Sequence, residues 1–214
     1  MDKDQRKLLT AGARQLDIEL TEQQADQLLE YLALLVKWNN SYNLTAIRDA
    51  EKMVTFHLLD SLTLIPFFSA ITDSHILDVG TGAGLPGIVL AMMFPQNHFA
   101  LLDSNGKKTR FLFQAKTQLN LDNVTIHHTR VENLNETNTY QVITSRAYAT
   151  LRDMVESSQH LLADQGQFFA MKGIYPEQEM KDIPTGFAVD RCERLSLPGD
   201  AAERHLVVLS KKTG

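Results

Sequence analysis

Asp78-Val79-Gly80-Thr81-Gly82 sets a carboxylate two residues ahead of a glycine turn. The apolar run before the turn reads as a buried strand, and Pro86-Gly87-Ile88-Val89-Leu90-Ala91-Met92-Met93-Phe94 after it reads as a helix. Pro86 suits a first helical turn, where its missing N–H has no intrahelical partner to lose. Strand, glycine turn and helix together bring bare backbone up to a nucleotide-like ligand. Gly82 to Gly87 also matches the G-x-G-x-x-G dinucleotide pattern, but the register argues against it. The first glycine of that pattern ends the strand, which here is Gly80, and the third then falls on Leu85. What remains is D-x-G-x-G. An acid at position 78 can hold the cationic amino-acid end of S-adenosylmethionine, which NAD lacks; its alternative role is to cap a tight strand–helix turn.

Two further acids extend this chemistry. Asp103 closes the next apolar run, about 20 residues beyond the turn, where a carboxylate accepts ribose hydroxyls. Glu132 follows a third run, and Val131 beside it offers apolar contact or backbone hydrogen bonds to an adenine edge. After the fourth run comes Ser145-Arg146-Ala147. No Asp/Asn-Pro-Pro-aromatic turn stands there to grip an exocyclic amine, and the lone cysteine, Cys192, sits late between Arg191 and Glu193. A ring nitrogen with a free lone pair, such as guanine N7, needs neither device, and alignment with a sulfonium methyl suffices. Arg146 has four readings: contact with cofactor, with phosphate, with guanine O6, or an ion pair with a carboxylate.

The elements that must position these residues alternate. From about residue 74 strands are expected at 75–79, 98–102, 124–128, 140–144 and 167–171, with two more at 187–194 and 204–210. Helices fall between them, and the alternation implies a mostly parallel sheet. Residues before about 70 read as helices. Thr21 with Gln24 forms a capping box, and Ala25, Leu28, Leu29, Leu32, Leu35 and Val36 repeat with helical period over 21–38. A polar loop is expected from Asn39 to Thr45. Met53, Val54, His57, Leu58, Ser61, Leu62 and Ile65 then share one face, which makes His57 a core histidine or a catalytic candidate. Pro176 and Pro184 bracket a loop or short helix. The expected organisation is a helical N-terminal extension over 1–70 and an α/β domain over 71–214.

Composition bounds the remaining options. The 214 residues are 43% hydrophobic and 22% charged, an ordinary globular balance. No apolar run reaches the roughly 20 residues that span a bilayer, and the charged start Met1-Asp2-Lys3-Asp4-Gln5-Arg6-Lys7 leads into an amphipathic pattern. One cysteine excludes an internal disulfide and a multi-cysteine zinc site, so a cytoplasmic protein without a metal is expected. The net charge of −5 opposes indiscriminate binding to a polyanion. Lys107, Lys108, Arg110, Lys116 and Arg130 nevertheless cluster in sequence, either as RNA contacts or as a solvated helix face.

Lys37-Trp38-Asn39, Tyr42-Asn43-Leu44-Thr45, His57-Leu58-Leu59-Asp60-Ser61, the glycine turn with its strand, Leu101-Leu102-Asp103-Ser104, Arg130-Val131-Glu132, Ser145-Arg146-Ala147, Lys172-Gly173 and Arg204-His205-Leu206-Val207-Val208 occur in this order. In this the chain resembles the bacterial small-subunit ribosomal RNA guanine-N7 methyltransferases, also called glucose-inhibited division protein B. The resemblance runs over nearly the whole length. It implies a seven-stranded, Rossmann-like methyltransferase sheet with helices on both faces. It also implies S-adenosylmethionine as donor, and a 16S ribosomal RNA guanosine, in the small subunit or an assembly intermediate, as the acceptor at N7. By the same resemblance Gly80, Leu85, Val131, Glu132 and Arg146 contact the cofactor, to which the reading of the turn adds Asp78 and Gly82 and the ribose argument Asp103. Arg146, His57 and Lys172 are the catalytic candidates; Lys107, Lys108 and Arg110 are the RNA-binding ones, with His57, Asp60 and Lys172 as further candidates for the RNA side. The family pattern carries a basic residue where this chain has Phe56. A monomer is expected.

Overall fold

The computed structural model describes residues 3–148 and 150–212. The first two residues of the charged N-terminal stretch lie outside them. Seven strands form one sheet in the order β3-β2-β1-β4-β5-β7-β6. They are β1 (His75–Val79), β2 (His98–Asp103), β3 (Val124–His128), β4 (Tyr140–Arg146), β5 (Leu162–Lys172), β6 (Phe187–Arg194) and β7 (His205–Lys211). The first five pair in parallel, and β7 pairs antiparallel with both β5 and β6. The sheet is therefore mixed, and mostly parallel. Strand order reverses between β1 and β4, the place where open α/β sheets leave a crevice beyond the strands' carboxyl ends.

Three of the parallel connections run through an α-helix, α6 (Gly87–Met93) after β1, α7 (Gly106–Gln118) after β2 and α8 (Leu151–Ser158) after β4, while β3 is joined to β4 through a short 3₁₀ turn at Val131–Asn133. Between β5 and β6 the segment bracketed by Pro176 and Pro184 holds a short helix, α9 (Glu177–Lys181). Central strands buried on both faces carry runs of apolar residues, and β1 and β2 are exposed only at their first residue. Two apolar clusters fill the two faces. One holds Ile76, Phe99, Val142 and Phe169 with α6, α7 and the N-terminal helices; the other holds Leu77, Val79, Ile143 and Phe168 with α8.

The helices before the sheet are α1 (Lys3–Gln15), α2 (Glu22–Tyr42), α3 (Ala50–Met53), α4 (Asp60–Leu62) and α5 (Ile65–Phe68). The Thr21 capping box forms, with the hydroxyl accepting from Gln24 N and the Gln24 side chain accepting from Thr21 N. The expected polar loop after residue 38 begins later. The helix continues through Tyr42 and stops at Asn43, whose φ of +50° is left-handed. Stacking of Trp38 on Tyr42 at 5.1 Å favours the extra turn. Buried Asn39 spends its polar side chain on the returning chain, donating to Ile47 O and accepting from Thr45 N. The single expected helix from 53 to 65 is instead divided: a π-helical turn at Val54–Leu59 separates α3 from α4. Among the described residues no helix is long and apolar enough to cross a membrane.

Candidate active site

Two cavities open beyond the carboxyl ends of the strands. The first, about 330 Å³, is lined by Val79 and Gly80 from β1, Leu102, Asp103 and Ser104 from β2, Lys108 from α7, Thr129 to Glu132 after β3, and Tyr148. Its floor is the glycine turn. Gly80 and Gly82 adopt φ of +66° and +63°, left-handed values open to glycine at little cost. A Cβ at Gly80 would lie 2.9 Å from the Tyr148 ring, whereas one at Gly82 would meet nothing nearer than 3.9 Å. The turn is anchored from three sides. Tyr31, fully buried on α2, donates to Ala83 O at 2.7 Å, Thr81 N donates to Leu102 O, and Gly82 N donates to Asp103 Oδ2 at 3.0 Å.

Asp78 is wholly buried and uses one oxygen twice: Oδ2 accepts from Thr81 Oγ1 at 2.6 Å and from Gly87 N at 2.8 Å. Burial pushes its carboxyl up to about 6 against these two hydrogen bonds. A Cβ at Gly87 would fall 2.7 Å from that same oxygen, which fixes glycine there. Asp78 Oδ1 and Ser145 Oγ are the two buried side-chain atoms without a partner among the described residues, one on each strand flanking the reversal point. Asp103 holds Asn105 N on Oδ1, while Lys108 Nζ approaches Oδ2 at 3.4 Å. Lys108 thus joins the first cavity, while Lys107 and Arg110, grouped with it as RNA candidates, are exposed on α7. Glu132 is exposed on the short 3₁₀ turn after β3 and borders the cavity with buried Val131. Leu85 is 3% exposed, sits in the apolar core and does not line the cavity.

The second cavity, about 270 Å³, is lined by Asp60, Arg146, Ala147, Met171, Lys172, Gly173 and Ala202 to Arg204. Consecutive residues line the two cavities, Arg146 and Ala147 the second and Tyr148 the first. Buried Asp60 accepts from Arg146 Nη1 at 3.0 Å on one oxygen and from Arg204 Nε at 2.7 Å on the other. Arg146 Nη1 also donates to Phe56 O, and the Arg204 guanidinium lies 5.7 Å from the Phe56 ring centre. Phe56 therefore supplies an aromatic face to Arg204, which stands just before β7. Of the four readings for Arg146 the structure realises the ion pair, and of the two cavities it lines the second. Lys172 Nζ pairs with Glu179 at 2.7 Å.

His57 is buried behind this cluster, Nε2 lying 2.9 Å from Thr45 Oγ1 and Nδ1 2.9 Å from Phe56 O. Burial, and then the Arg146 charge, lower its pKa to about 4, so it is neutral at physiological pH. It lines neither cavity. Tyr148 and Arg204 are site residues whose positions the sequence pattern leaves unassigned, Arg204 standing inside a quoted motif without a role; Asp60, expected on the RNA side, is the carboxylate that joins the two arginines.

A family model described as rRNA small subunit methyltransferase G matches residues 24–207. The relative named ribosomal RNA small subunit methyltransferase G in Ectopseudomonas mendocina is 48% identical over 203 residues, covering 95% of this chain and 94% of that protein. The chain belongs to this family. Membership makes it a methyltransferase of small-subunit ribosomal RNA. Solved structures share the fold at low identity. TrmN from Thermus thermophilus aligns with TM-score 0.60 at 16% identity over 71% of this chain and 48% of that one. TYW2 from M. jannaschii, solved with AdoMet, aligns with TM-score 0.54 at 12% identity over 69% of this chain and 74% of that one.

Proposed function

We propose that the chain transfers the methyl group of S-adenosylmethionine to N7 of a guanosine in 16S ribosomal RNA, with the first cavity as donor site and the second as acceptor site. The observation that carries this reading is that consecutive residues after β4, 146–147 and 148, line the two cavities. The first cavity suits the donor. Beneath the glycine turn, outside the cavity lining, Asp78 Oδ1 is a buried acceptor without a partner among the described residues. Asp103 and Glu132 bring carboxylates for ribose hydroxyls, and Val131 offers an apolar edge to adenine. S-Adenosylmethionine supplies an electrophilic methyl whose C–S bonding pair stays on sulfur as the N7–C bond forms. N7 carries no proton, so no side chain of this protein needs to act as a general base. The residues align the base and exclude water instead. The helical extension belongs to the machinery, since Tyr31 pins the glycine turn and Asp60 ties the two arginines.

Transfer of labelled methyl to small subunits lacking the modification tests this, with label expected in 7-methylguanosine of the 16S RNA. Label in any other nucleoside would overturn the acceptor. Glu132→Ala and Asp103→Ala should each weaken S-adenosylmethionine binding by calorimetry by about tenfold, one charge-assisted hydrogen bond each. Unchanged affinity in both would move the donor elsewhere. The acidic net charge favours a ribonucleoprotein particle over bare RNA as substrate. Equal rates on the two at matched salt would reject that preference.

A further inference from the structure

Four large apolar side chains stand exposed among the described residues: Tyr42, Phe113, Ile174 and Tyr175. Two of them, Ile174 and Tyr175, are adjacent and follow directly on Gly173, which lines the second cavity. Ile174 is 81% exposed and Tyr175 50%. The tyrosine ring is nonetheless fixed in place. It stands edge-on to His205 at 5.4 Å, and His205 Nδ1 lies 2.9 Å from Gly173 O. His205 follows Arg204, which lines the same cavity, so the ring is tied to the cavity by both of its flanking strands, β5 and β7. An aromatic held in position with an open face is a platform for a flat partner.

The charges inside the cavity say what kind of partner. The three cations of the lining, Arg146, Lys172 and Arg204, are each in an ion pair of 2.7 to 3.0 Å, with Asp60 in the lining and with Glu179 and Asp200 outside it; Glu203 also lines the cavity. A phosphate would find its counter-charges already matched. A neutral planar ring would not need them. Ala147, Met171, Gly173 and Ala202 give it apolar walls. Arg146 bonds through Nη1, and Arg204 through Nε and Nη1, so other guanidinium N–H groups face no protein acceptor among the described residues. Those groups suit a carbonyl oxygen on the ring's edge. Methylation at N7 also moves the positive charge from sulfur onto the guanine, and a pocket whose cations are already ion-paired opposes that change less than one with unpaired cations.

Resting on the methyl-transfer reading, we infer that the second cavity is the acceptor-base pocket: Tyr175 stacks on the guanine, and Arg204, tied to Arg146 across Asp60, donates to its O6. The test measures methyl transfer to small subunits lacking the modification, with S-adenosylmethionine affinity followed by calorimetry on the same proteins. Tyr175→Ala, an exposed position, should lower kcat/KM roughly tenfold or more, the range of base–aromatic stacking, with cofactor affinity unchanged. Tyr175→Phe should restore most of the loss, because the stack needs the ring and not the hydroxyl. Arg204→Lys should lower the rate on guanosine, and a particle carrying 2-aminopurine at the acceptor, which lacks O6, should be no worse for the variant than for the wild type. Wild-type kcat/KM in both Tyr175→Ala and Arg204→Lys would overturn the pocket while leaving the methyltransferase reading intact. A loss in Tyr175→Ala that follows cofactor affinity would overturn it too. No transfer by the wild-type protein would overturn the functional reading itself.

Discussion

The two cavities are built by opposite means. The first is made mainly of backbone, since the ends of three consecutive parallel strands and their following turns enclose it, and its shape rests on glycines and main-chain hydrogen bonds. The second is made of side chains brought from residues 60, 146–147, 171–173 and 202–204, and one carboxylate joins its two arginines. A turn held through its backbone is vulnerable to an added Cβ where the protein packs against it, as at Gly80, Gly84 and Gly87. A side-chain site tolerates no change at its hub. The donor half of the site should therefore fail through crowding, and the acceptor half through loss of a single charge.

The largest effect is expected at that hub. Asp60→Ala leaves two mostly buried guanidinium groups without their shared counter-ion, which should cost about 3 kcal/mol of stability in denaturant unfolding. Asp60 acts as a positioning residue, so kcat/KM for the particle should fall much further than cofactor affinity does. Should both fall equally, the two cavities would be one mechanical unit and the contrast drawn above would fail.

A smaller and more selective effect comes from pH. His57, behind the second cavity, is lowered from 6.5 to about 4. Its contribution to stability is complete above about 6.5 and is lost as pH falls through about 4. Asp78, under the first cavity, is raised from 3.8 to about 6. Its contribution is complete below about 3.8 and is lost as pH rises through about 6. Over the same interval the two trends oppose each other and largely cancel, each reaching up to about 3 kcal/mol. Single variants should separate them. Asp78→Asn should gain thermal stability from pH 4 to 6.5, and His57→Gln should lose it across the same range. Parallel profiles in the two variants would mean that other groups govern the acid range.

The difference in construction also decides what could be read from the sequence. Asp78, Gly80, Gly82, Asp103, Val131 and Glu132 follow one another along the chain at the ends of successive strands, and strand periodicity with a glycine turn locates them. All but Gly82 and the buried Asp78 line the first cavity. Asp60 and Arg204 are 144 residues apart and meet only because β7 enters antiparallel beside β5. No local pattern encodes that meeting. Lys108 looked like its neighbours Lys107 and Arg110, and only the helical phase of α7 turns it toward Asp103. Helix ends were misjudged where polar side chains served the interior, as Asn39 does.

The finest test of the contrast is Gly82→Ala. A methyl group there would stand 3.9 Å from Gly80 O and 4.0 Å from Lys108 Nζ, so nothing in the protein obstructs it. The φ of +63° still makes alanine strained by about 1 kcal/mol, and unfolding should report that loss and little more. If the open space belongs to the donor's amino-acid end, cofactor affinity should fall by more than this strain explains, on the order of tenfold beyond it. At Gly84, by contrast, an added Cβ would lie 2.6 Å from Ile88 and 2.9 Å from Leu112, within the core. Gly84→Ala should then unfold the turn from behind and lose stability and affinity together. A Gly82→Ala protein that bound S-adenosylmethionine normally would show that the space beside Lys108 is left to water, and would shift the donor toward Glu132 and Tyr148.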